Sequence, residues 1–123
     1  MTVRQDRPTR TEIEQALREH CLLDTAVMNP KNTGYDLNVS KNGLEVQLIV
    51  LFGVYELYIV ATDLSDGHRV QPWSDCYGDS RHSDYLSELG QVLWALKNSD
   101  LRFTKNRKAI EFKKEDGTWH VLL

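Results

Sequence analysis

The sequence predicts one α+β domain: a mainly antiparallel sheet of five to six strands with two helices, in the order α-β-β-β-(β)-α-β-β. Three observations carry this expectation. Apolar residues recur at helical spacing in two stretches, around 11–26 and 83–98. Between and after those stretches they alternate with polar residues, the period of strands with one wet face. The strands are joined by turn dipeptides, Asn42-Gly43 and Asp66-Gly67, that leave no room for the crossover a parallel pair needs.

Residues 1–8, with Arg4, Asp6, Arg7 and Pro8, are expected to form a flexible arm ahead of a single domain spanning 9–123. The first helix is expected over Thr11–Ala26. A capping box, Thr9 with Glu12 or Thr11 with Glu14, satisfies amides at its start. Its apolar stripe is Ile13, Ala16, Leu17, His20 and Cys21, and Asn29-Pro30 stops it. Tyr35, Leu37 and Val39 then alternate with polar neighbours. Asn42-Gly43, both tolerant of positive φ, reads as a type I′ turn into a return strand with Leu44, Val46, Leu48 and Val50 inward. Gly53 is read as a turn into a strand over Val54–Thr62, and Asp66-Gly67 as a hairpin into a short strand at His68–Trp73. Residues 74–81 form a polar loop. The second helix covers Ser83–Asn98 on a stripe of Tyr85, Leu86, Leu89, Val92, Leu93 and Leu96. The tail is read as a hairpin built on Leu101 and Phe103, then Ile110 and Phe112, with Glu115-Asp116-Gly117 turning into Trp119–Leu122.

A chain of 123 residues buries roughly two-thirds of its unfolded surface, so one core suffices without staples. Two cysteines make no disulfide framework. The N-terminus is polar, and no apolar run reaches the ~20 residues that span a bilayer. A cytoplasmic location and no membrane association are expected. The net charge of −3 is unevenly spread: residues 1–62 carry −2, residues 63–90 carry −4, and residues 91–123 carry +3. An acidic middle and a basic tail are expected to present two differently charged surfaces.

The sequence contains no Gly-rich phosphate loop, no Gly-x-Ser-x-Gly elbow and no His-Glu-x-x-His helix. No cofactor is expected. His68, Cys76 and His82 lack the close pairing with which one turn fixes two zinc ligands, so no metal is expected either. Cys21, on a buried-looking stripe, is read as an inert thiol. Cys76 lies beside Asp75 and Asp79, whose charge disfavours a thiolate. His68, His82 and His120 offer acid and base for a small metal-independent ribonuclease, provided that the fold brings them together. Arg102, Lys105, Arg107 and Lys108 offer phosphate contacts for weak nucleic-acid binding. The nearby Phe103, Phe112 and Trp119 alternate as inward residues rather than stacking platforms, so nucleic acid is not the expected partner.

The segment containing Asp63, Asp66, Trp73, Asp75, Tyr77, Asp79, Tyr85 and Glu88 interleaves aromatics with carboxylates, which suits docking to a basic surface of another protein. In size, mild acidity and element order the chain resembles small bacterial immunity proteins of toxin systems. Type III secretion chaperones share part of this order but carry a further helix where this chain has a hairpin. The first resemblance implies an inhibitor or adaptor that acts by occlusion and is not an enzyme. An exposed edge strand also offers pairing with a second copy of the chain.

Overall fold

The computed structural model describes residues 8–53, 57–71 and 82–122. Among these residues the fold is α+β, with two α-helices, α1 (Arg10–Glu19) and α2 (His82–Asn98), and eight strands in two antiparallel sheets. The larger sheet has the order β1 (Val27–Met28), β2 (Gly34–Lys41), β3 (Leu44–Leu51), β4 (Leu57–Asp63) and β5 (Arg69–Val70). The smaller consists of β6 (Leu101–Phe103), β7 (Ile110–Lys113) and β8 (Trp119–Val121). The expected tail hairpin is thus a separate sheet of three strands, because α2 intervenes and the chain returns onto the helix's far end.

Helix α1 takes the first of the two capping boxes: Glu12 N–H donates to Thr9 Oγ1 at 3.1 Å, and Thr9 N–H to Glu12 Oε1 at 3.0 Å. Glu14 is left free to accept from Arg10 Nε at 2.8 Å and the Tyr35 hydroxyl at 2.5 Å, tying helix to sheet. The helix ends seven residues short of the expected Ala26. Cys21 adopts a left-handed φ of 56°, while Leu22 N–H reaches Leu17 O at 2.8 Å and Cys21 N–H reaches Arg18 O at 3.0 Å. This is a Schellman ending, with cysteine at the position glycine usually fills. It turns Leu22 into the core and Cys21 out to solvent, so the expected buried thiol is an exposed one. Pro8 is buried and its carbonyl accepts from Gly53 N–H at 2.7 Å, so the arm is anchored at its last residue.

The β2–β3 hairpin closes through Asn42 and Gly43, both at positive φ (54° and 76°), as a type I′ turn requires. Its register places Leu37, Leu48 and Ile59 side by side across three strands, all nearly devoid of solvent contact. At the other end of the hairpin, Gly34 faces Leu51 so closely that an added Cβ would run into the Val50 carbonyl oxygen. The β4–β5 hairpin uses a longer loop than its Asp-Gly dipeptide suggests: Asp63 N–H donates to His68 O at 2.7 Å, and Gly67 N–H to Asp63 O at 2.8 Å.

Both helices contribute to the core on one face of the larger sheet. Ile13 and Leu17 of α1 join Tyr85, Leu89, Val92, Leu93 and Leu96 of α2 in a single buried cluster with the inward strand residues. The same cluster takes in Leu101, Ile110 and Phe112 of the smaller sheet. Burying each of these large side chains contributes about 1.5–3 kcal/mol. Ser99, the buried polar residue just past α2, fixes the joint: its hydroxyl donates to Lys113 O at 2.6 Å and accepts from Lys113 N–H at 2.9 Å. Lys41 Nζ caps Ser99 O at 2.9 Å, and Asn42 Oδ1 accepts from Leu101 N–H at 3.0 Å. The β2–β3 turn therefore holds the smaller sheet by side-chain bonds.

Two substitutions are expected to move stability in opposite directions. Ser99→Ala removes the hydroxyl's bonds to the Lys113 carbonyl and amide, leaving the amide only its longer bond to Asp100 O, and should cost about 1–2 kcal/mol. Cys21→Gly removes the left-handed penalty and should gain about 0.5–1 kcal/mol after glycine's entropy cost. Urea midpoints measure both. An unchanged midpoint for Ser99→Ala would show that Ser99 does not hold the joint.

Candidate interaction surfaces

The acidic hairpin and the basic tail meet. Arg107, at φ 60° in the β6–β7 loop, directs Nη2 at Asp63 Oδ2 (2.8 Å) and Asp66 Oδ2 (2.9 Å). In return, His68 shares a 2.7 Å hydrogen bond with the Arg107 carbonyl oxygen, and its ring stands edge-on to Phe103 with centroids 5.5 Å apart. The two expected surfaces of opposite charge are thus partly spent on each other. A guanidinium is drawn to carboxylates of its own chain when the fold places them within reach. Asp63 is held below the ordinary carboxyl range first by the Ser65 hydroxyl and amide, and less by Arg107. For Asp66 the His68 amide comes first, then the Arg107 guanidinium.

The other residues of the acidic segment divide. Tyr85 is fully buried on the α2 stripe, so it does not face a partner; its spacing with Leu89, Val92 and Leu96 outweighs its carboxylate neighbours. Glu88 is half-buried on the same helix. Trp73, Asp75, Tyr77 and Asp79 lie outside the described residues, as do Cys76 and the side chain of His82.

Among the described histidines, His68 is bound to the β6–β7 loop, whereas His120 Nε2 lies 3.0 Å from Thr118 Oγ1 beside the β7–β8 turn. Those loops sit at opposite ends of β7, so the two rings do not share one partner. No group of three His, Cys, Asp or Glu side chains suited to a metal ion occurs among the described residues. Nor is any helix among them long and apolar enough to cross a membrane. Of the basic quartet, Arg107 is clamped as above, and Arg102 pairs with Glu111 at 2.6 Å with its guanidinium 3.7 Å over the Trp119 ring. Lys105 and Lys108 are exposed. The three tail aromatics also differ from the inward pattern expected of them. Phe112 is buried and Phe103 half-buried, while Trp119 shares the outer face with Arg102 because it pairs with Lys113 rather than Phe112.

Two features emerge only from the three-dimensional arrangement. The first is the face of the larger sheet turned away from the helices. Register sets Val27, Asp36, Ile49 and Tyr58 in one row across β1–β4, and Asn38, Gln47 and Val60 in the next, with Ser40, Glu45 and Thr62 beyond. Val27 is 64% exposed, and Ile49, Leu51, Tyr58 and Val60 are partly so, none of them belonging to the core cluster. The run Leu48–Leu51, apolar on both strand faces, was the available signal. The second is an open cavity of about 490 Å³ between α2 and the β7–β8 turn, lined by Gln91, Trp94, Phe112, Lys114, Glu115 and Asp116. Trp94 sits off the apolar stripe of α2, and such an off-stripe indole was the signal in this case.

No family model, no curated protein and no solved structure matches the chain.

The Arg107 clamp has a pH signature. Asp63 and Asp66 titrate below the ordinary value of 3.8. Their stabilisation is therefore complete above that value and is lost as the pH falls through their lower native midpoints. Arg107→Gln should raise the Asp66 midpoint part of the way to 3.8, since the His68 amide remains, and should flatten the acid dependence of stability. Carboxyl NMR titration and urea midpoints between neutral and acidic pH read the two effects. An Asp66 midpoint that does not move would show that the clamp does not hold in solution.

Proposed function

We propose that the chain is a non-catalytic protein-binding module, an inhibitor or adaptor that occludes a basic surface of a partner protein. The observation that carries this reading is the outward face of the larger sheet. Ile49, Leu51 and Val60 form an apolar centre on this face, bordered by the carboxylates of Asp36 and Glu45, with Arg69 beyond Thr62 in the Glu45 row. A contiguous apolar patch with a polar rim is the usual anatomy of a docking surface. The rim carboxylates favour encounter with a cationic partner and disfavour an acidic one. Asp63 and Asp66 extend the acidic character beyond the sheet, although Arg107 compensates part of it. Pairing with a second copy is an alternative use of the outer sides of β2 and β4, of which the two-residue strands β1 and β5 cover only part. A cytoplasmic setting belongs to the same proposal and accords with the free thiol of Cys21.

The test is capture of a partner from native lysate by the immobilised chain, with identification of what co-elutes. Ile49→Glu combined with Val60→Glu should reduce capture at least about tenfold while the circular dichroism spectrum is kept. Asp36→Lys with Glu45→Lys should slow association and weaken its salt dependence. Full capture by the Ile49/Val60 variant would exclude this face.

A further inference from the structure

The cavity beside Trp94 brings together two kinds of group that already grip an arginine elsewhere in this molecule. On the outer face of the smaller sheet the Arg102 guanidinium lies 3.7 Å from the Trp119 ring centre and is fixed by Glu111 at 2.6 Å. An indole and a carboxylate together grip a planar cation. The cavity supplies the same two kinds of group: the half-exposed Trp94 indole, braced edge-on by Phe112 at 6.3 Å, and the carboxylates of Glu115 and Asp116. Among the described residues no cation lies over Trp94, and the Glu115 carboxylate makes no hydrogen bond or ion pair. Asp116 is oriented by bonds from the Thr118 hydroxyl at 2.6 Å and the Thr118 amide at 2.9 Å, which also hold it ionised.

We propose that this cavity receives an arginine side chain presented by a partner protein, its guanidinium stacked on Trp94 and paired with Glu115 and Asp116. Arginine fits better than lysine, because its weakly hydrated, planar head stacks on aromatic rings and pairs with carboxylates at once. A volume of about 490 Å³ lies within the range of ligand pockets and admits the side chain with flanking backbone. Lys114 on the same rim opposes a second cation. The inference rests on the partner-binding reading above and adds a recognition element separate from the sheet face.

The experiment titrates the full-length chain with a capped Gly-Arg-Gly peptide, following indole N–H resonances by NMR, with Trp94→Phe identifying the Trp94 signal. Citrulline in place of arginine provides a neutral control of the same shape. The arginine peptide should shift the Trp94 signal saturably and the citrulline peptide should not. Glu115→Gln should weaken binding about fivefold, and Lys114→Gln should strengthen it by a similar factor. A Trp94 signal that ignores the arginine peptide, or responds equally to citrulline, overturns the inference. The Ile49→Glu/Val60→Glu variant should titrate like the native chain. Loss of partner capture in that variant together with a silent Trp94 would therefore refute the cavity alone. Unimpaired capture with a responsive Trp94 would refute the sheet face alone.

Discussion

Helix α2 packs against two sheets at once, and the rest of the molecule is arranged around that demand. Tyr85, Leu89 and Leu93 join the core of the larger sheet, while Leu101, Ile110 and Phe112 of the smaller sheet join the same cluster near the helix's end. A helix that ended in solvent would leave its last carbonyls to water. Here the chain past Asn98 folds straight back, and Ser99 is the buried pivot. The Ser99 hydroxyl binds both the amide and the carbonyl of Lys113, and the amide also donates to Asp100 O at 3.2 Å, so β7 is tied to the end of the helix. The bonds from Lys41 and Asn42 then bring the β2–β3 turn to the same place. Three elements distant in sequence converge where side chains, not strand pairing, make the connections.

Charge is distributed by the same geometry. Asp63 and Asp66 at the start of the acidic stretch come together with Arg107 of the basic tail. Such exposed pairs contribute little stability each. Their effect is positional: they fix the β4–β5 and β6–β7 loops relative to one another, and His68 closes the loop from the other side. Other carboxylates face solvent without such a clamp, among them Glu45 on the outer sheet face and Glu115 on the β7–β8 turn.

What the sequence made legible is what local chemistry decides. Asn42-Gly43 implies its turn, Thr9 with Glu12 implies a cap, and the stripe from Tyr85 to Leu96 implies a helix, since each signal lies within a few residues. The end of α1 was hidden because cysteine occupies the left-handed position that glycine normally advertises. Tyr85 belongs in the sequence both to the apolar stripe of the second helix and to the acidic docking segment, and its helical register decides between them by burying it. The Arg107–Asp63 contact spans 44 positions and leaves no trace in composition or spacing. Trp94 and the outward row through Ile49 had only weak signals, one off-stripe indole and one doubly apolar strand.

The contact at Gly34 bears on how this architecture can vary over time. A carbonyl oxygen stands where a side chain would begin, so hydrogen is the one substituent the seam between β2 and β3 accepts there. Exposed positions on α1 carry no such constraint and tolerate many side chains. A glycine eight residues ahead of an Asn-Gly turn, with alternating aliphatics between and after, would persist while they change. Distant kin of this chain are thus best sought by that short spaced pattern rather than by similarity along their whole length.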